Sequence, residues 1–125
     1  MKTQGKPAYQ ILVVDDESAV RDSIRMVLEF LGHAVETADS GAMALSLLKP
    51  GRFDLVITDN FMHGMKGDQL AATLKQRQPG LPVIMVTAFP DKLDANSKLE
   101  GVVDFLVVKP FAIADLSDAI ARVMR

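Results

Sequence analysis

The chain contains no cysteine, which removes a disulfide framework, a thiolate metal site and a thiol nucleophile together. It has no surplus of positive charge either: 14 Lys and Arg stand against 16 Asp and Glu, for a net charge of -2. Binding to nucleic acid through its phosphates needs a basic patch, so nucleic acid is not an expected partner. No apolar run reaches bilayer length, and Met1 to Gln10 is polar, without the apolar stretch of a secretory leader. Neither membrane insertion nor secretion is expected, and a cytoplasmic location fits. Internal repeats, low-complexity stretches and linkers are missing, as are a Gly-rich phosphate loop, a His-rich metal motif and a serine triad.

What is present matches one ordinary domain: 125 residues, 49% of them hydrophobic, enough to build a real core. The expected organisation is a flexible N-terminal segment, 1–9, followed by a single unit, 10–125. Five short apolar, β-branched runs read as strands, at 11–14, 34–38, 55–58, 83–86 and 105–108. Between them lie helical spacings. The clearest steps through Val20, Ile24, Val27, Leu28 and Leu31 and ends at Gly32. A second runs over 40–48 and stops before Lys49-Pro50-Gly51, and a third over 67–78 stops before Pro79-Gly80. A fourth, at 91–100, has only Leu93 and Leu99 as large apolar residues, and the last spans 113–124. Alternation of strand and helix five times over implies an α/β fold, doubly wound, with helices on both faces of a parallel sheet. The continuously apolar Ile11-Leu12-Val13-Val14 and Val83-Ile84-Met85-Val86 read as central strands buried on both faces, while Glu36 and Thr37 mark the second strand as an edge.

In such folds ligands bind beyond the carboxyl ends of the strands. Those ends carry Asp15-Asp16, Asp59, Thr87 and Lys109, each directly after an apolar run. Each has an ordinary explanation when taken alone. Asp15 or Asp16 could cap the first helix in competition with Ser18, Asp59 could open a turn ahead of Asn60, and Lys109 could be a solvated charge. Four polar groups delivered to one rim are harder to explain that way. Two carboxylates about 5 Å apart repel by roughly 3 kcal/mol at an effective dielectric near 20, so three of them need neutralising. Lys109 supplies one charge, and a hard divalent ion on oxygen ligands would supply the rest. Mg²⁺ suits, since it takes one or two carboxylates and phosphate oxygens and keeps its waters. An aspartate can itself become an acyl phosphate. Asp59, alone at its strand end, is the candidate nucleophile.

With these residues in place the chain resembles the response-regulator receiver family over essentially everything from Gln10 to Met124. The resemblance rests on Asp15-Asp16, on Asp59 within Thr58-Asp59-Asn60-Phe61-Met62-His63-Gly64-Met65-Lys66-Gly67, on Thr87-Ala88, and on Lys109-Pro110-Phe111. It implies a flavodoxin-like (βα)5 fold with strand order 2-1-3-4-5. It implies that Asp59 accepts a phosphoryl group from a sensor histidine kinase or a histidine phosphotransfer protein. Mg²⁺, or Mn²⁺ in its place, would be held by Asp16, Asp59 and the Phe61 backbone carbonyl, with Asp15 acting through water. Lys109 would pair with the phosphoryl oxygens, Thr87 would hydrogen-bond one of them, Ala88 would offer a backbone contact, and Lys109-Pro110 would be cis. The domain would then be a switch with slow autodephosphorylation, not an enzyme acting on an outside substrate. It would signal to a downstream effector that the sequence does not name, with homodimerisation through the fourth helix, fifth strand and last helix.

The chain departs from the family in two places. His63 stands where proline is usual, where it is expected to play a structural backbone role. Leu106 stands where an aromatic residue commonly switches with the threonine, with Phe105 next to it. Phe61 and Phe89, two positions beyond Asp59 and Thr87, read as an apolar fence against water that would prolong an acyl phosphate. An aspartyl phosphatase is the runner-up, but such enzymes usually need a second acid where Phe61 lies. A flavodoxin-like cofactor binder is disfavoured because Asp15-Asp16-Glu17 would repel phosphate without metal. A degenerate receiver acting only as a binding module is disfavoured because every expected site residue is present.

Overall fold

A computed structural model of the chain describes residues 8–88 and 101–124. The helix expected at 91–100, Phe89, and residues 1–7 of the expected N-terminal segment lie outside the described residues. The elements are β1 (Gln10–Val14), α1 (Ser18–Phe30), β2 (Ala34–Ala38), α2 (Gly41–Leu47), β3 (Leu55–Asp59), α3 (Gly67–Arg77), β4 (Val83–Thr87), β5 (Phe105–Val108) and α4 (Ile113–Val123). The strands form one sheet in the order β2-β1-β3-β4-β5, every pair parallel. β3 and β4 each run one residue further than their apolar stretches. Asp59 pairs with Val86, and Thr87 with Val108, because backbone pairing does not require an apolar side chain at a strand end.

Side-chain alternation along the central strands divides the interior in two. Ile11, Val13, Leu55, Ile57, Ile84, Val86 and Val107 face α1 and α4, meeting Ile24, Leu28, Leu116, Ala119 and Ile120. Leu12, Val14, Val56 and Val83 face the other way, against Ala44 of α2 and Leu70, Ala71 and Leu74 of α3. Burying one such aliphatic side chain contributes about 1.5–3 kcal/mol relative to exposure, so these two layers fix the sheet between its helices. The stripe expected on α1 is the one buried. α1 closes as a Schellman turn: Gly32 N–H donates to Glu29 O, His33 N–H donates to Leu28 O, and Gly32 takes φ of 98°, a conformation that favours glycine. At the start of α2, Ser40 Oγ accepts from Met43 N–H at 3.1 Å. No helix among the described residues is long and apolar enough to cross a membrane.

Candidate functional site

The carboxyl ends of β1, β3, β4 and β5 converge, as the topology requires, on one rim. One carboxylate oxygen from each of Asp15, Asp16 and Asp59 lies within 4.8 Å of the others. Lys109 Nζ stands 3.4 Å from Asp59 Oδ1 and 3.6 Å from Asp15 Oδ2. Thr87 is fully buried at the end of β4, and its carbonyl accepts from Lys109 N–H at 2.8 Å, joining the ends of the two strands. The Lys109-Pro110 peptide is cis. Ala88 is exposed beside Thr87, and Phe61 lies half-buried two residues beyond Asp59.

The ordinary explanations of the aspartates do not hold. α1 takes Glu17 as its N-cap without a side-chain cap, so neither Asp15, Asp16 nor Ser18 serves; Asp15 Oδ1 instead accepts from Glu17 N–H at 2.9 Å. Asp59 is the last strand residue, and the turn belongs to Asn60. The Asn60 carbonyl accepts from Met62 and Gly67 N–H, and its Oδ1 accepts from Asp68 N–H at 3.0 Å. Phe105 packs into the layer facing α1 and α4, with the Arg122 guanidinium 5.4 Å over its ring, while alternation turns Leu106 to the opposite face.

The electrostatics are unbalanced. Among the described residues, the buried Asp15 and Asp59 share one ammonium, Lys109, while Asp16 meets the His63 ring. Burial pushes the Asp59 carboxyl above its ordinary range, Lys109 opposes the rise, and Asp15 adds to it. Asp15 is likewise raised by burial, against the Glu17 N–H bond and Lys109. Asp16 is held low, chiefly by the His63 backbone N–H. Among the described residues Asp15 Oδ2 is buried and accepts no hydrogen bond. Its one cation, Lys109 Nζ at 3.6 Å, is shared with Asp59, and a buried carboxylate oxygen so placed costs free energy unless a further cation or donor meets it. An all-oxygen donor set with an unsatisfied buried oxygen fits a hard divalent cation.

Two contributors escaped the sequence reading. Asn60 was taken only as a neighbour of a possible turn, whereas it is 3% exposed and organises the loop from β3 to α3. His63, expected in a structural backbone role, places its backbone N–H 2.9 Å from Asp16 Oδ2 and adds a ring contact, Nδ1 to the same oxygen at 2.8 Å, that the sequence does not announce. The signal for His63 was there to be used: a residue other than proline brings an N–H to that position.

Comparison with known proteins agrees with this geometry. Residues 11–121 match the family described as response regulator receiver domain. A probable transcriptional regulator, ycf27 of Cyanidium caldarium, is 34% identical over 98% of this chain and 49% of its own length. The response regulator FleR of Pseudomonas aeruginosa is 38% identical over 92% of this chain and 24% of its own. The chain thus spans half or less of these relatives. Among solved structures, a receiver domain protein from Clostridium thermocellum superposes with a TM-score of 0.85 at 32% identity, covering 94% of each chain. TrrA from Thermotoga maritima, solved in complex with Mg²⁺ and BeF, gives 0.83 at 30% identity over 91% of this chain and 97% of that one.

Proposed function

Since the chain belongs to the response regulator receiver family, whose domains work within two-component systems, we propose that Asp59 is its phosphoacceptor. The observation that carries this reading is the buried pair Asp15 and Asp59, under-compensated by Lys109, with an oxygen of Asp15 left without a hydrogen bond. A carboxylate oxygen of Asp59 forms the new P–O bond as the P–N bond of a donor phosphohistidine breaks, and the departing imidazole takes a proton from solvent. The donor is a sensor histidine kinase or a histidine phosphotransfer protein. Lys109 Nζ, already beside Asp59 Oδ1, pairs with the incoming phosphoryl oxygens, Thr87 hydrogen-bonds one of them, and Ala88 adds a backbone contact.

Asp16, Asp59 and the Phe61 carbonyl would hold Mg²⁺, with Asp15 acting through water and Mn²⁺ able to substitute. The Mg²⁺ complex of TrrA supports the assignment, and the ion's contribution is to neutralise charge on the transferred group. Hydrolysis later returns Asp59 and inorganic phosphate, slowly where the half-buried Phe61 keeps water off. The switch runs through Thr87, buried at the end of β4. The receiver unit covers 10–125, acts in the cytoplasm, contacts no nucleic acid itself, and passes its signal to a downstream effector or a second copy through the side of β5 and α4.

The test is the intact mass after incubation with acetyl phosphate or phosphoramidate and Mg²⁺. A gain of about 80 Da that requires the metal and vanishes in Asp59→Ala is the expected outcome. An adduct that persists in Asp59→Ala would refute the assignment.

A further inference from the structure

His63, in the loop after β3, reaches across to the loop after β1. Its side chain is fully exposed, a setting in which a long-range partner is uncommon, yet it is docked. The backbone N–H donates to Asp16 Oδ2 at 2.9 Å, and ring Nδ1 lies 2.8 Å from the same oxygen. A carboxylate oxygen only accepts, so the ring contact places the hydrogen on Nδ1. Asp16 is itself 19% exposed at its side chain, and two donors converging on one oxygen restrict how its carboxylate can turn.

We propose that His63 is a positioning residue for the divalent-cation site, holding the Asp16 carboxylate in a fixed rotation before the ion arrives and so setting the affinity of the site. The inference rests on the reading of Asp15, Asp16 and Asp59 as that site. Carboxylates that bind metal are themselves commonly held by outer hydrogen bonds, and a ligand fixed in advance loses less freedom on binding. Proline, the residue expected here from the family resemblance, carries neither donor. The two substitutions His63→Ala and His63→Pro therefore separate the ring from the backbone contribution: alanine removes one donor and proline removes both.

The experiment measures Mn²⁺ binding to the full chain by the electron paramagnetic resonance signal of free Mn²⁺, with Mg²⁺ as competitor. The dissociation constant is expected to rise about ten-fold in His63→Pro, the low end of what loss of outer-shell partners costs, and by less, about three-fold, in His63→Ala, which loses one donor of the two. His63→Gln, which keeps a side-chain N–H donor, should lie near the parent. Thermal midpoints without metal should not follow the same order, which separates positioning from general stability. Equal Mn²⁺ affinity in the parent, alanine and proline chains would overturn the proposal, as would tighter binding on loss of His63. If proline prevents folding, the alanine and glutamine variants decide by themselves. Failure of the underlying reading looks different: the parent and Asp16→Asn would then bind Mn²⁺ equally, before any change at His63.

Discussion

The two ends of the sheet carry similar residues in opposite conditions. At the amino end, aspartates are matched to donors. Asp54 Oδ2 accepts from Gln10 N–H at 2.8 Å, and Asp104 Oδ2 accepts both Val83 N–H at 2.8 Å and Lys75 Nζ at 2.7 Å. Lys75 Nζ also donates to Leu81 O. At the carboxyl end, Asp15 and Asp59 are buried together, raised by that burial, and share one lysine at 3.4 to 3.6 Å. The first end ties strands to neighbouring loops. The second holds buried carboxylates that Lys109 alone does not balance among the described residues. Function and stability are thus assigned to opposite ends of the same strands, and the same residue type serves each by the donors around it.

The sharpest way to break this comparison is Asp59→Asn. Phosphoryl uptake should be abolished by intact mass, while the metal-free protein should become more stable, by on the order of 1 kcal/mol, because a buried charge has been removed. A lower thermal midpoint would show that the carboxyl end is structural after all. Next in size is Mg²⁺ itself. At one hundred times its dissociation constant it should add about 2.7 kcal/mol near neutral pH. Ionised Asp15 and Asp59 carry their cost above their raised folded values, and the cost is relieved as pH falls through them. The Mg²⁺ stabilisation, read as a shift in thermal midpoint, should therefore fade on acidification.

Asp104→Ala tests the other end. It strips the acceptor from Val83 N–H and the partner from Lys75, and should cost about 1–2 kcal/mol in denaturant unfolding with phosphoryl uptake intact. The smallest effect belongs to His33, whose Nδ1 accepts from Tyr9 N–H at 3.1 Å and whose ring stacks on Tyr9. Burial lowers its pKa from 6.5, so its neutral form contributes stability that is full above that value and lost as pH falls through the folded value. His33→Gln should flatten the decline in stability below pH 6.5. Acid thus relieves one end of the sheet and strains the other.

Most of the fold was legible because parallel central strands announce themselves as unbroken apolar runs and because Gly32, Pro50 and Pro79 punctuate the helices. The rim was legible because chain alternation forces polar residues after those runs to one end. What escaped depended on loop geometry. Nothing in the order of residues from Asp59 to Gly67 says that Asn60 folds back onto Gly67 and Asp68, or that His63 turns toward Asp16 47 positions earlier. The start of α1 turns on the same kind of local geometry: Asp15 spends its Oδ1 on Glu17 N–H, and Glu17 caps the helix without its side chain.

At Gly67 the first turn of α3 comes so close to the end of β3 that an added Cβ would lie 2.3 Å from the Asp59 carbonyl oxygen and 2.7 Å from Asn60 Cα. No side chain fits there without parting helix from strand. The end of β3 is thus seated directly on the backbone of a helix, whereas the ends of β4 and β5 are tied to one another by the bond from Lys109 N–H to Thr87 O.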